Sequence, residues 1–214
     1  MAAGTLITLE GIDGAGKTTL ARGLCEALRD RGLEVELLRE PGGVAAAERI
    51  RELVHDPAQR IGARAEALLY AAARAQLVEE RLRPLLQDGA FVLLDRFVDS
   101  SLVYQGAGRE LGIDAVRAIN EFGTGGLIPD RTLLLDLDPA LARERSGARA
   151  GMPDRIEQEG EDFFERTAAA YRRLAAAEPD RITVLDARLA PADLLAAALR
   201  ALGDLIGRDA QSAR

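Results

Sequence analysis

The sequence predicts an α/β protein: five parallel strands in one sheet, with helices on both faces. Short β-like runs alternate along the chain with longer stretches of helical periodicity. Runs such as Phe91-Val92-Leu93-Leu94 are apolar throughout, as in strands covered on both sides. The chain has 214 residues and is 48% hydrophobic, enough for one substantial core in a single domain.

Each element follows in order. Residues 5–10 form the first strand, which ends at a glycine-rich loop. Residues 18–31 are helical, with Leu20, Leu24 and Leu28 on one face and Gly32 as the stop. Residues 33–39 form the second strand, and Pro41-Gly42-Gly43 turns the chain. Residues 45–54 and 63–87 are helices, the latter kinked or ended by Pro84. Residues 91–94 form a buried strand ending at Asp95. Residues 132–137 form the next, with Asp136 and Asp138 at its end. Residues 182–185 form the last, followed by a helix from 191 to about 206. A single domain spans residues 1–206, and the polar residues 207–214 are expected to be a disordered tail. Two regions break the rhythm: 100–126, polar and glycine-containing, and 146–160, rich in glycine and charge. Ligands of open α/β sheets bind outside the carboxyl ends of the strands. Both regions are therefore expected to be substrate loops, the second a short lid.

The bulk numbers exclude several classes. A net charge of −7 argues against nucleic acid or an anionic membrane as partner. No stretch of eighteen apolar residues suggests a membrane span, and the N-terminus does not resemble a secretory signal. One cysteine, Cys25, excludes an internal disulfide and fits a reducing cytoplasm; it is expected to be a buried, small apolar residue on the first helix. His55, the single histidine, is expected to be solvated or capping.

Of the 28 basic residues one is a lysine. Lys17 lies in Gly11-Ile12-Asp13-Gly14-Ala15-Gly16-Lys17-Thr18, which matches G-x-x-x-x-G-K-[ST] between a strand and a helix. Backbone N–H groups of such a loop and the following helix N-terminus attract phosphate oxygens. Lysine is a compact point charge where arginine is a planar fork, so a loop wrapped around phosphate can accept the first and reject the second. Lys17 would reach the β- and γ-phosphates of ATP, and Thr18 would ligate Mg²⁺. This fixes the fold class as the P-loop NTPase type.

Three features narrow the activity. No N-K-x-D guanine motif exists, and the length and lack of repeats do not suit a motor. An apolar strand ends in Asp95-Arg96 at the edge of the same site. The acid can act on Mg²⁺ or the acceptor, and the arginine can hold an anionic substrate. Arg39, Arg51, Arg74 and Arg96 fall on or after elements that can face the strand ends. Arg143, Arg145, Arg149 and Arg155 cluster in the second irregular region, where a mobile arginine could neutralise charge on a transferring phosphoryl group.

Five ordered motifs together resemble bacterial thymidylate (dTMP) kinases: residues 9–19, Arg39-Glu40-Pro41-Gly42-Gly43, residues 69–76, Asp95-Arg96-Phe97 with Ser100-Ser101 and Tyr104-Gln105-Gly106, and Asp154-Arg155-Ile156-Glu157. The resemblance implies transfer of the ATP γ-phosphate to dTMP, with ATP phosphates on Gly11, Ile12, Asp13, Gly14, Ala15, Gly16, Lys17, Thr18 and Thr19. It implies that Tyr70 stacks on thymine, Arg74 bonds its edge, and Ser101 and Gln105 read it from the other side. Arg51 and Arg96 would hold the dTMP phosphate, with Asp95 and Glu40 near metal and acceptor. Asp13 would face the sugar, and Tyr104 would disfavour a 2′-hydroxyl. A homodimer packed through helices is also implied. Two departures stand out. The stacking position, commonly Phe in the family, is Tyr70. No arginine occupies the loop positions 12–15, so the catalytic arginine is assigned to the lid, Arg149 first and Arg145 and Arg155 behind it. The competing expectations are another nucleoside monophosphate or deoxynucleoside kinase, and a regulatory module that binds ATP without chemistry.

Overall fold

Alternate side chains of a strand point to opposite faces of its sheet, and in this protein both faces are apolar. The computed structural model describes residues 4–147 and 154–212. Strands β1 (Thr5–Glu10), β2 (Val35–Arg39), β3 (Phe91–Asp95), β4 (Arg131–Asp136) and β5 (Ile182–Asp186) pair in parallel in the order β2-β3-β1-β4-β5. The helices are α1 (Lys17–Arg29), α2 (Ala45–His55), α3 (Ala63–Leu77), α4 (Arg83–Gln87), α5 (Val98–Ser101), α6 (Ile113–Thr124), α7 (Pro139–Gly147), α8 (Glu161–Ala177), α9 (Pro191–Ala201) and α10 (Gly203–Ser212). Ile7, Leu9 and Leu93 face a core shared with Leu20, Leu24 and Leu28 of α1, Tyr171 and Leu174 of α8 and Leu194 of α9. Leu6, Val92 and Leu94 face a second core with Ala47 of α2 and Ala73 and Leu77 of α3. This two-sided burial is what the apolar strand runs imply.

Register brings the functional strand ends together. Leu9 pairs with Asp95, and Arg39 pairs with Asp95 from the other side. After β1 the chain builds outward to β3 and β2 on one side and to β4 and β5 on the other. The loop after β1 therefore opens at the switch point, where an open α/β sheet has its crevice.

Several expectations change. The region 100–126 is helical, not irregular: α5 runs into a π-helical stretch, Leu102–Gly108, and then α6. Gly106 and Gly108 serve close packing there; a Cβ on Gly108 would fall 2.6 Å from the Phe163 ring of α8. Pro84 does not end the helix: a π turn at Val78–Leu82 precedes it and α4 runs on to Gln87, the wider turn accommodating the hydrogen bond a proline cannot donate. The second strand starts at Val35, later than residue 33, because the Leu33 N–H still closes the end of α1 on Leu28 O. The last helix, α10, is anchored at its start by buried Leu202 and Leu205. No helix among the described residues is long and apolar enough to cross a membrane.

Candidate active site

The loop between β1 and α1 holds Gly11, Gly14 and Gly16 at φ of +138°, +87° and +97°, which other residues rarely adopt. Ile12 and Ala15 bury their side chains and anchor the loop, leaving its backbone for ligand. Thr19 lines the same cavity as Gly14, Gly16, Lys17 and Thr18. Lys17 is 7% exposed, and its Nζ donates to Gly11 O at 2.9 Å and Ile12 O at 3.1 Å. One N–H of its three remains for a ligand. Burial, reinforced by the charge of Arg96, lowers its pKa to about 8 against the pull of Asp13, Asp95 and Glu10. Thr18 Oγ1 donates to Asp95 Oδ2 at 3.2 Å, and Asp95 Oδ1 is buried without a hydrogen-bond partner among the described residues.

Arg96 follows β3 with φ +72°, a strained conformation for a non-glycine residue, costing about 1–3 kcal/mol. Its own N–H bonds Leu9 O at 3.0 Å, and the next N–H, of Phe97, bonds Glu10 Oε1 at 2.7 Å. Glu10 is fully buried and also accepts from Ser100 Oγ at 2.6 Å and Tyr171 OH at 2.7 Å. Burial pushes its carboxyl up, and Asp99 adds to this. The turn thus aims the Arg96 guanidinium back over the loop. It donates to Asp13 Oδ1 at 2.7 Å and Gly11 O at 3.1 Å and lies 5.1 Å from the Tyr104 ring centroid. Tyr104 OH donates to Asp13 Oδ2 at 3.1 Å. Burial opposes ionisation of Asp13, but the charges of Arg96 and Lys17 and the Tyr104 hydroxyl outweigh it and hold the carboxyl well below its usual range.

On the far side lie Arg51, Tyr70, Arg74, Ser101 and Gln105. Arg51 donates to Pro41 O at 3.0 Å; burial and the neighbouring Arg39 lower its pKa. Burial pushes the Tyr70 phenol up. Arg74 is also held by the protein around it. It is 2% exposed, and four of its five N–H groups donate to protein. Nε bonds Glu40 Oε2 at 2.7 Å, Nη1 bonds Ser101 Oγ at 2.8 Å and also Asn120 Oδ1, and Nη2 bonds Phe97 O at 2.8 Å and lies 2.6 Å from Glu40 Oε2. The second Nη2 N–H makes no directed hydrogen bond among the described residues, and Arg74 lines the cavity. Glu40 is committed to the same pair, and burial raises its pKa to about 7 against the pull of Arg74.

The arginines expected in a lid separate. Arg145 lines the cavity and donates to Ala187 O at 2.9 Å. Arg143 pairs with Glu161 on the surface. Arg155 turns inward: its Nε holds Val54 O at 2.9 Å, and its Nη1 lies 2.6 Å from Glu66 Oε2. Arg149 lies outside the described residues. His55 is neither free nor a simple cap, since its Nδ1 pairs with Asp154 Oδ2 at 2.9 Å.

One cavity of about 570 Å³ runs from Gly14 and Lys17 past Arg96 to Tyr70 and Gln105, so a phosphate loop and an aromatic pocket share one space. The family model for thymidylate kinase matches residues 9–197. The chain belongs to the thymidylate kinase family. It is 53% identical over 187 residues to a thymidylate kinase of Deinococcus radiodurans, covering 87% of this chain and 90% of that one. It is 47% identical over 206 residues to a thymidylate kinase of Rhizorhabdus wittichii, covering 95% and 99%. A thymidylate kinase of Clavibacter sepedonicus is 50% identical over 198 residues, covering 92% and 93%. The protein is thus a nucleoside monophosphate kinase, a phosphotransferase that uses ATP to phosphorylate dTMP.

In this thymidylate kinase the sequence pattern missed Glu10, Glu66 and Asn120. Glu10 could have been noticed as a charge closing an otherwise apolar strand. Glu66 carried no such signal, since an acid in the first turn of a helix is ordinary dipole chemistry, yet it is fully buried.

Proposed function

We propose that this dTMP kinase divides its positive charge between two substrates that meet at Arg96. The loop amides and Lys17 bind the ATP phosphates, Arg51 and Arg96 bind the dTMP phosphate, and the base lies against Tyr70 with Ser101 and Gln105 at its edge. The observation that carries this reading is Arg96 itself, held in a strained turn between the loop carbonyl of Gly11 and the pocket beneath Tyr104. A dTMP phosphate oxygen is already anionic at neutral pH, so the transfer needs no general base. A new bond forms from that oxygen to the γ-phosphorus, the bond to the β,γ-bridging oxygen breaks, and ADP leaves. Catalysis is then positioning plus charge stabilisation.

Thr18 and Asp95 suit Mg²⁺: a hydroxyl and a carboxylate 3.2 Å apart, with the second carboxylate oxygen buried and without a partner among the described residues. Such hard oxygen donors, completed by phosphate and water, are what Mg²⁺ prefers, and the bound ion would offset phosphate charge. Asp13 holds Arg96 and Tyr104 in place near the sugar, and the Tyr104 ring leaves little room for a 2′-hydroxyl. Glu40 and Arg74 form the pocket floor that carries Ser101. With no arginine in the loop, the cation for the transferring group comes from the arginines of α7 and the segment after it. Arg149 is the first choice, and Arg145 is the member of that set among the described residues that lines the cavity.

A homodimer is part of this proposal. Leu53 on α2, Leu68 on α3 and Phe122 on α6 are exposed on neighbouring helices, Phe122 at 92%, an apolar surface suited to a second copy. The substrates and the single buried cysteine fit a cytoplasmic setting. The test is turnover with Mg²⁺-ATP and dTMP, dUMP, dCMP or thymidine as acceptor. The highest kcat/KM is expected for dTMP; equal or better use of another acceptor would overturn the division of residues given above.

A further inference from the structure

We infer that Glu66 is a positioning residue that sets base selectivity by fixing the direction of the Gln105 amide; this rests on the reading that Ser101 and Gln105 face the base. Glu66, in the first turn of α3, is fully buried. Its Oε1 accepts from Gln105 Nε2 at 2.9 Å and Arg109 Nε at 3.2 Å. Its Oε2 is a close ion partner of Arg155 Nη1 at 2.6 Å and Arg109 Nη2 at 3.1 Å, though the angles fall short of directed hydrogen bonds.

A carboxylate offers lone pairs and no donor, so the Gln105 NH₂ must face Glu66 and its carbonyl must turn the other way. Gln105 lines the cavity, and no described residue donates to its Oε1. Ser101, four residues earlier, has the opposite polarity: its Oγ accepts from Arg74 at 2.8 Å, which leaves its own proton to donate. The wall therefore presents a donor beside an acceptor. Thymine offers the matching edge, an O4 acceptor beside an N3–H donor. Cytosine offers the reverse, an amino donor beside an unprotonated N3. Glu66 never touches the base, yet it decides which of these edges finds partners.

Two guanidiniums keep Glu66 from turning. Arg109 stacks 5.0 Å from the Phe163 ring centroid, and Arg155 is tied by its Nε to Val54 O and by its N–H to His55 O. A purely structural ion-pair cluster would support the fold without favouring one base, and that difference is measurable.

The experiment compares kcat/KM for dTMP, dUMP and dCMP in the wild type, Glu66→Gln, Gln105→Met and the double variant. In Glu66→Gln the new side chain can donate, and Gln105 is free to reverse. The dTMP/dCMP preference is expected to fall about 10- to 100-fold, as one mispaired buried group implies. The dTMP/dUMP preference should hold within about 2-fold, because uracil presents the same edge. Gln105→Met should lose the same discrimination, and adding Glu66→Gln to it should change nothing more. A uniform loss for all three acceptors, or an unchanged dTMP/dCMP ratio in Glu66→Gln, overturns the inference while leaving the dTMP-site reading intact. If Glu66→Gln does not fold, an unchanged ratio in Gln105→Met overturns it instead, and a lost ratio supports it. A wild type that does not prefer dTMP to dCMP sinks the site reading and this inference together.

Discussion

Changing Lys17 to Arg keeps the charge of the loop's only cation and alters its shape alone. The ammonium fits where two backbone carbonyls approach within 2.9 and 3.1 Å, and the side chain is 7% exposed. A guanidinium is wider and planar. Forcing extra volume into a packed site costs about 1–3 kcal/mol. A donor displaced from developing phosphoryl charge costs a further amount, about 2.7–4 kcal/mol, equal to about 100- to 1000-fold in kcat. Lys17→Arg should therefore lose at least about 100-fold in kcat, and Lys17→Ala should be similar. The assay is coupled ADP release at saturating ATP and dTMP, with thermal melts to show that both variants fold. If the Arg variant keeps kcat within about 3-fold of wild type while Ala is inactive, charge suffices and the shape account is wrong.

Three further outcomes are expected. Lys17, with its pKa lowered to about 8, should lose its charge in the free enzyme above that pH, so kcat/KM for ATP should fall there while the limb in kcat lies higher. The sign for stability is opposite. Between about 8 and the ordinary value of 10.5 the unfolded chain binds the proton that the folded chain has released, so denaturation at stepped pH should show this contribution rising with pH. Gly14→Ala would put a Cβ 2.2 Å from Ala142 O at φ +87°; Tm should drop by several degrees, about 2–4 °C for each kcal/mol, and KM for ATP should rise, whereas unaltered values would mean that α7 yields freely. Phe122→Glu should convert a dimer to a monomer by light scattering, and a monomeric wild type would remove the dimer proposal.

The sheet was legible because its strands are unlike anything else in the chain. Phe91 to Leu94 cannot sit at a surface, and the phosphate loop marks where the first strand must end. Leu20, Leu24 and Leu28 named the buried face of α1 by spacing alone, and Cys25 lies buried beside them as expected. The region 100–126 was misjudged because Gly106 and Gly108 look like loop residues, and only the nearby Phe163 ring explains Gly108 as a close-packing position. Arg155 had the same sequence credentials as Arg145, but one points inward to Glu66 and the other faces the cavity.

The sequence by itself determined the α/β class, the phosphate loop around its one lysine, and the Asp95-Arg96 strand end, because these depend on local periodicity and fixed short spacings. Tertiary structure alone decided which charged groups remain available to substrate. Arg74, expected at the base edge, gives four of its five donors to Glu40, Ser101, Asn120 and Phe97 while lining the cavity. Glu66 looked like a solvated helix acid and holds Gln105 and two arginines. A side chain's hydrogen-bonding capacity is written in its residue type, but the partners that consume it come from positions 23 to 89 residues away, brought together only when the sheet and its helices pack.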